Sequence, residues 1–273
     1  MTNAEQRFEF GRNWHDFIQK NFGEEAVAVS KKHMLGFLER SELDRLSVLD
    51  IGCGSGLHSI AALEAGASVV HGFDYDPDSV AATRYVQAQV GHPANWTVEQ
   101  GSVLDDAFMA RLPTYDLVYS WGVLHHTGAV WHAIENAGQR VKPGGLFYIA
   151  LYSADVQIDP TPEFWLAVKR RYVAGGWCTR RWLDLWYIWR FYMGKNPLRL
   201  PQFLRIARDY KTKRGMNVMT DVRDWLGGWP MEFCYDEDVK QFVAAKLDMD
   251  LVKTATGEAN TEFLFRRRHD GGA

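Results

Sequence analysis

The chain has 273 residues, 47% of them hydrophobic, and its 31 Lys and Arg against 34 Asp and Glu leave a net charge of −3. That length buries one sizeable core, or one α/β domain plus a cap. No run of about 18 apolar residues is free of charge, which argues against a helical membrane span. The start, MTNAEQRFEF, lacks the basic and apolar regions of a signal peptide, and three cysteines (Cys53, Cys178, Cys234) are too few for a disulfide framework or zinc site. These features predict a cytoplasmic protein with no metal centre.

In chain order, Gln6 to Arg40 reads as two helices. Val48 to Gly56, VLDIGCGSG, is the most informative segment. A buried strand ends in Asp50 and runs into a turn with Gly52, Gly54 and Gly56 at every second position, followed by a helix over Leu57 to Ala65. Glycines there let a ligand lie on the main chain, and the helix start offers unpaired N–H donors. The Asp50 carboxylate stands at the strand's carboxyl end, where open α/β sheets bind ligands. A second strand, Ser68 to Phe73, ends in Asp74-Tyr75-Asp76. Asp74 lies 18 residues past Gly56, about the offset at which an acid meets ribose hydroxyls.

A third strand spans Trp96 to Gln100 and leads into Gly101-Ser102-Val103-Leu104-Asp105. The fourth, Tyr115 to Ser120, leads into Trp121-Gly-Val-Leu-His125-His126-Thr127. Lys142-Pro-Gly-Gly145 reads as a turn feeding a fifth strand, Leu146 to Leu151. Beyond it, residues 160 to 214 hold thirteen Lys and Arg against three acids, a local net of +10 that leaves −13 for the remainder. Trp182, Leu185, Trp186, Trp189 and Met193 fall at helical spacing within it. The first expectation is that this stripe packs the segment onto the core while the cations form a solvated face. Steering of an anionic substrate and contact with an anionic membrane are the alternatives. Interleaved aromatics and cations also suit single-stranded nucleic acid, but without an RNA-binding module no nucleic-acid partner is expected.

The double glycine and proline of Val222 to Pro230 predict a loop rather than a helix, one that returns over the site. Tyr235 to Leu247 is an amphipathic helix, and two strands, Asp250 to Ala255 and Thr261 to Arg266, close the chain.

The succession VLDIGCGSG, Asp74, GSVLD and KPGG resembles the class I S-adenosylmethionine-dependent methyltransferases, over residues 45 to 151 and again at the C-terminus. The G-x-G-x-G spacing differs from the G-x-G-x-x-G of nicotinamide-dependent dehydrogenases, the nearest competitor. A bacterial subgroup is similar over Phe10-Gly-Arg-Asn-Trp14, Ser120 to Thr127, Arg214-Gly-Met216, Asp224 to Pro230 with Glu232, and Asn260-Thr-Glu-Phe263. Proteins of this look are often labelled quinone-type or glycan-cluster methylases, an analogy that fixes no substrate.

The resemblance implies a Rossmann-like, mostly parallel sheet with a C-terminal antiparallel hairpin. It divides the chain into an N-terminal helical roof (1–44), a cofactor core (45–151), an aromatic and basic cap with its loop (152–232), and a helix and hairpin completing the core (233–273). S-adenosylmethionine is the implied cofactor, placed against Asp50, Gly52, Gly54 and Gly56, with Asp74 and Tyr75 at the ribose. Ser102 stands where many relatives carry an Asp facing adenine, so its hydroxyl or the Val103 amide is expected there. Trp121 and Trp14 complete the cofactor set. His125, His126 and Asp221 are the candidate catalytic groups, one histidine being expected as a base with a titration near pH 6.5. Tyr152, Arg214, Asp224 and Trp225 are the candidate acceptor contacts. The expected activity is methylation of a small molecule, most readily at oxygen, with sulfur or nitrogen as alternatives. A lipid-linked or quinone-type acceptor at a membrane surface and a non-catalytic cofactor-binding protein are the rival readings.

Overall fold

The computed structural model describes residues 22–214 and 217–269, with the side chains of 211–214 outside that description. The first of the two expected N-terminal helices and Trp14 lie outside the described residues.

Among the described residues seven strands form one sheet: β1 (Ser47–Ile51), β2 (Val69–Asp74), β3 (Trp96–Gln100), β4 (Tyr115–Trp121), β5 (Val141–Tyr152), β6 (Met249–Thr256) and β7 (Asn260–Arg267). Their order is β3-β2-β1-β4-β5-β7-β6, parallel from β3 through β5, with β7 antiparallel to both β5 and β6. The sheet thus has the expected Rossmann-like plan with its closing hairpin. Strand order reverses between β1 and β4, which stay parallel, and at such a switch point the loops after adjacent strands diverge and leave a crevice.

Helices cover both faces. On one lie α1 (Glu24–Leu38), α2 (Leu57–Glu64) and α3 (Pro77–Gln89); on the other lie α4 (Asp106–Arg111), α5 (Val130–Gly138) and α10 (Asp236–Leu247). Each face has its own apolar cluster: Val48, Leu117, Tyr148 and Leu264 pack beneath α1 and α2, while Leu49, Val118, Phe147 and Phe263 pack beneath α5 and α10. Alternate residues of β1, β4, β5 and β7 therefore enter opposite cores, which is why these strands read as continuous apolar runs.

The helical segment between β5 and α10, the insert, carries a third cluster of its own. It comprises α6 (Pro162–Ala174), α7 (Trp177–Tyr187), a π-turn at Ile188–Tyr192, α8 (Leu200–Arg214) and α9 (Val218–Gly227). Trp165, Tyr172, Leu183, Ile188, Met193, Val218, Val222 and Leu226 are buried there.

Three local expectations are corrected. The segment expected as a loop forms α9, because Asn217 caps it by accepting from the Thr220 amide at 2.9 Å, and Val218, Val222 and Leu226 line one face. The Gly227-Gly228 pair ends that helix instead of preventing it. Lys142-Pro-Gly-Gly145 lies within β5, where Gly144 at φ 75° accompanies a shift in register opposite Tyr115 and Leu117. The Trp182–Met193 stripe does not pack as one face. Met193 is buried and Trp186 half-buried, but Trp182, Leu185 and Trp189 face solvent. The π-turn at Ile188–Tyr192 adds a residue to the helical repeat, so the periodicity read across it changes side.

Candidate active site

Gly52, Gly54 and Gly56 adopt φ of 73°, 53° and 78° between β1 and α2. A Cβ on Gly52 would stand 2.4 Å from a Val123 methyl, so glycine here is required by close approach as well as by φ. Two buried carboxylates flank the loop. Asp50 accepts the Ser59 hydroxyl at 2.6 Å, and burial raises its carboxyl to about 7. Asp74, at the end of β2, accepts the Gly54 amide at 3.0 Å through one oxygen and the Asp76 amide at 2.9 Å through the other. Burial raises it to about 6, partly offset by those amides. The Asp74 carboxylate thus ties the glycine loop to the neighbouring strand end, and Tyr75 stands exposed beside it.

Three of the remaining expected cofactor residues, Ser102, Val103 and Trp121, lie at the same edge of the sheet. The Ser102 hydroxyl oxygen accepts the Leu104 amide at 3.2 Å, and buried Val103 gives its carbonyl to Asn136 at 2.9 Å. Trp121 ends β4 partly exposed, its indole N–H donating to Glu262 at 3.2 Å. Glu262 also accepts the Tyr148 hydroxyl and meets His33 at 3.3 Å, which links β4, β5, β7 and α1. These donors and carboxylates around a glycine cradle fit an adenosyl group bearing an amino-acid tail.

The histidines occupy a single turn after β4. Their rings lie 4.4 Å apart and stand 4.3 and 5.8 Å from the Tyr152 ring at the end of β5. Residues 230–234 clamp this group from outside. The His126 Nδ1–H donates to the Pro230 carbonyl at 2.8 Å, the Glu232 amide donates to the His125 carbonyl at 2.8 Å, and the Cys234 amide donates to the Tyr152 carbonyl at 3.0 Å. His126 therefore carries its lone pair on Nε2. The Tyr152 amide donates to His125 Nδ1 at 3.4 Å, which puts the His125 proton on Nε2. That buried Nε2 has no protein partner among the described residues.

Burial holds His125 well below its ordinary pKa and lowers His126 to about 4. Both are neutral at physiological pH, so the titration near pH 6.5 expected of a histidine base does not arise from this pair.

The insert closes the cluster. Trp225 on α9 meets Tyr152 edge-on at 5.6 Å, and burial, with the carboxylates of Asp221 and Asp224, raises the Tyr152 phenol to about 12. Asp221 accepts the Tyr210 hydroxyl at 2.6 Å. The Arg214 side chain lies outside the description.

One group at this site was not singled out by the sequence: Lys169 on α6, 1% exposed. Its ammonium donates to the Trp225 carbonyl and stands 4.3 Å over the Trp225 ring. It has no carboxylate partner among the described residues, burial lowers it to about 7, and its charge reaches both histidines. Lys169 was counted with the solvated cations of the insert. The signal against that was its place between Trp165 and Tyr172, at i+4 and i+7, on the buried face of α6.

A family model described as a methyltransferase domain matches residues 5–210. The chain belongs to that family, the class I S-adenosylmethionine-dependent methyltransferases. Curated relatives include a ubiquinone biosynthesis O-methyltransferase of Rhizobium rhizogenes, 33% identical over 108 residues, covering 40% of this chain and 42% of the relative. A tRNA U34 carboxymethyltransferase of Idiomarina loihiensis is 34% identical over 107 residues, covering 38% and 32%. The chain spans about half the length, or less, of such relatives. Among solved structures, magnesium protoporphyrin IX methyltransferase of Synechocystis with bound S-adenosylhomocysteine superposes over 94% of this chain and 93% of its own, at a TM-score of 0.53 and 15% identity. That likeness establishes the fold.

Proposed function

We propose that this chain methylates an oxygen of a small, ionisable acceptor, using S-adenosylmethionine bound across the glycine loop and Asp74. The observation that carries the acceptor reading is a buried N–H donor, His125 Nε2, and a buried ammonium, Lys169, both without an anionic partner among the described residues. Buried donors and cations left unpaired are costly, and an acceptor oxygen that becomes negative would satisfy both. The name of the Rhizobium relative, an O-methyltransferase, supports oxygen as the atom methylated.

The bound cofactor supplies a sulfonium-borne methyl group as electrophile. Asp74 receives the ribose hydroxyls, and the Gly52 and Gly54 backbone lies against the amino-acid end. Lys169, near 7 and so substantially an amine at neutral pH, takes the acceptor's hydroxyl proton at Nζ. As an ammonium it then stays beside the oxygen whose lone pair forms the new bond. A base with its pKa near the working pH is the effective one; His126 at about 4 is too weak for a hydroxyl, so the histidines act as neutral partners, His125 through its Nε2–H. Tyr152 and Trp225 supply flat apolar walls, and burial, with Asp221 and Asp224, keeps the Tyr152 phenol protonated.

The test is release of S-adenosylhomocysteine with a panel of phenolic, catecholic and carboxylic acceptors. Turnover with O-acceptors that rises with pH through about 7 supports the reading. Turnover confined to amines or thiols overturns it.

A further inference from the structure

We propose that the outer face of the insert, along α7, the 197–199 turn and α8, is a docking surface for an anionic lipid bilayer. On α7 and the π-turn that continues it, the inward side is Leu183, Asp184 and Ile188, and the outward side carries Trp182, Leu185 and Trp189 at i, i+3 and i+7. On α8 the inward side is Phe203, Ala207 and Tyr210, whereas Leu200, Leu204 and Arg208 line the outside. The exposure is large: Trp177 is 77% exposed, Leu185 61% and Leu198 85%. A surface helix ordinarily turns its apolar stripe toward the core, and here both helices carry a second stripe that points away from it. Large apolar groups exposed together mark a contact surface.

Charge selects the occupant. Residues 160–214 carry a net +10. Arg199, Arg205 and Arg208 stand exposed around the leucines, and the Arg171 guanidinium lies 5.5 Å from the Trp182 ring centre. Like charge opposes a second copy of this chain on the same face. Single-stranded nucleic acid would use the tryptophans for stacking but leaves Leu198, Leu200 and Leu204 in water. An interface of anionic headgroups over acyl chains takes all three classes at once: the cations at the phosphates, the tryptophans at the boundary, the leucines below it. Among the described residues no helix is long and apolar enough to cross a membrane, so the contact is one of lying on the surface.

Sedimentation of the full-length chain with vesicles tests this without any methyl transfer, so its failure and that of the proposed reaction are distinguishable. Phosphatidylcholine vesicles containing phosphatidylglycerol should pellet the protein, and phosphatidylcholine alone should not. In 1 M salt, where screening acts within about 3 Å, the pelleted fraction should collapse. Arg205→Ser should weaken partitioning about fivefold, the effect of one cation near such a surface. The W177S/L185S/L198S variant should lose at least about tenfold, with unchanged circular dichroism and S-adenosylmethionine affinity showing that the fold is kept. Equal pelleting by both vesicle types, or none, overturns the proposal. So does self-association, or binding of a single-stranded oligonucleotide, that the triple variant abolishes while vesicles stay unbound.

Discussion

Between residues 48 and 76, the groups that face the candidate cofactor site are main-chain amides and two carboxylates whose partners lie within about 25 residues, as in Asp50 with Ser59 and Asp74 with Gly54 and Asp76. Between residues 162 and 227 they are side chains, and each is placed by another helix or by the sheet: Lys169 by Trp225, Trp225 by Trp165 and Tyr152, Asp221 by Tyr210. A backbone cradle depends on glycine and on strand geometry, so it tolerates drift elsewhere in the chain. A side-chain pocket depends on how separate helices settle, so it can be reshaped with the acceptor. The difference predicts that substitutions in the first region act on cofactor affinity, and those in the second on the acceptor and on turnover.

The largest effect expected is at Lys169. Lys169→Met should lower turnover by about 10²–10⁴-fold while leaving S-adenosylmethionine affinity unchanged by calorimetry. With the amine needed, wild-type turnover rises with pH through about 7, and that limb should vanish in the variant. A limb that persists would return proton transfer to another group. Next is Leu226, fully buried in the insert. Leu226→Ala should cost about 2–5 kcal/mol of stability, read by denaturant unfolding, and should raise the Michaelis constant for the acceptor more than cofactor affinity falls. If both change equally, the insert is not a separate acceptor-side unit.

Asp74→Ala should weaken S-adenosylmethionine binding by about 2–4 kcal/mol. Asp74→Asn, which keeps an acceptor for the Gly54 amide, separates ribose contact from loop support. Unchanged affinity in Asp74→Ala would remove the residue from the site. The smallest effect is a pH dependence at Asp50. Its folded pKa of about 7 lies above the unfolded value of about 3.9, so the folded state holds the extra proton between those values and stability falls as pH rises through them. Asp50→Asn should gain on the order of 2 kcal/mol at pH 8 relative to pH 5, measured as a melting-temperature difference from wild type at each pH. An unchanged difference would mean that Asp50 titrates as an ordinary carboxyl.

The two regions were unequally legible. The glycine turn, the acids Asp50 and Asp74 near the ends of β1 and β2, and the succession of strands along the chain were open to reading because each is local: a strand must end, a turn must take positive φ, and an acid must follow at the next strand end. The turn after β4 that carries the histidines was also legible, but not their state, since the burial and the bonds to Pro230, Glu232 and Tyr152 come from segments some 25 to 105 residues away. α9 was missed because two glycines and a proline outweighed the Asn217 cap and the Val218-Val222-Leu226 stripe. The tryptophan stripe was misassigned because helical spacing does not say which side of a helix is covered, and the π-turn moved only its Met193 end to the other side.

The sequence by itself determined the sheet, the glycine turn after β1 and the family, because strand ends and glycine turns follow from short-range sterics and hydrogen bonding. Only the tertiary structure decided that Lys169 is buried with no counter-ion among the described residues and that Trp182, Leu185 and Leu204 face outward. Lysine and tryptophan carry no local instruction about burial, and which side of an amphipathic helix is covered depends on where the other helices come to rest.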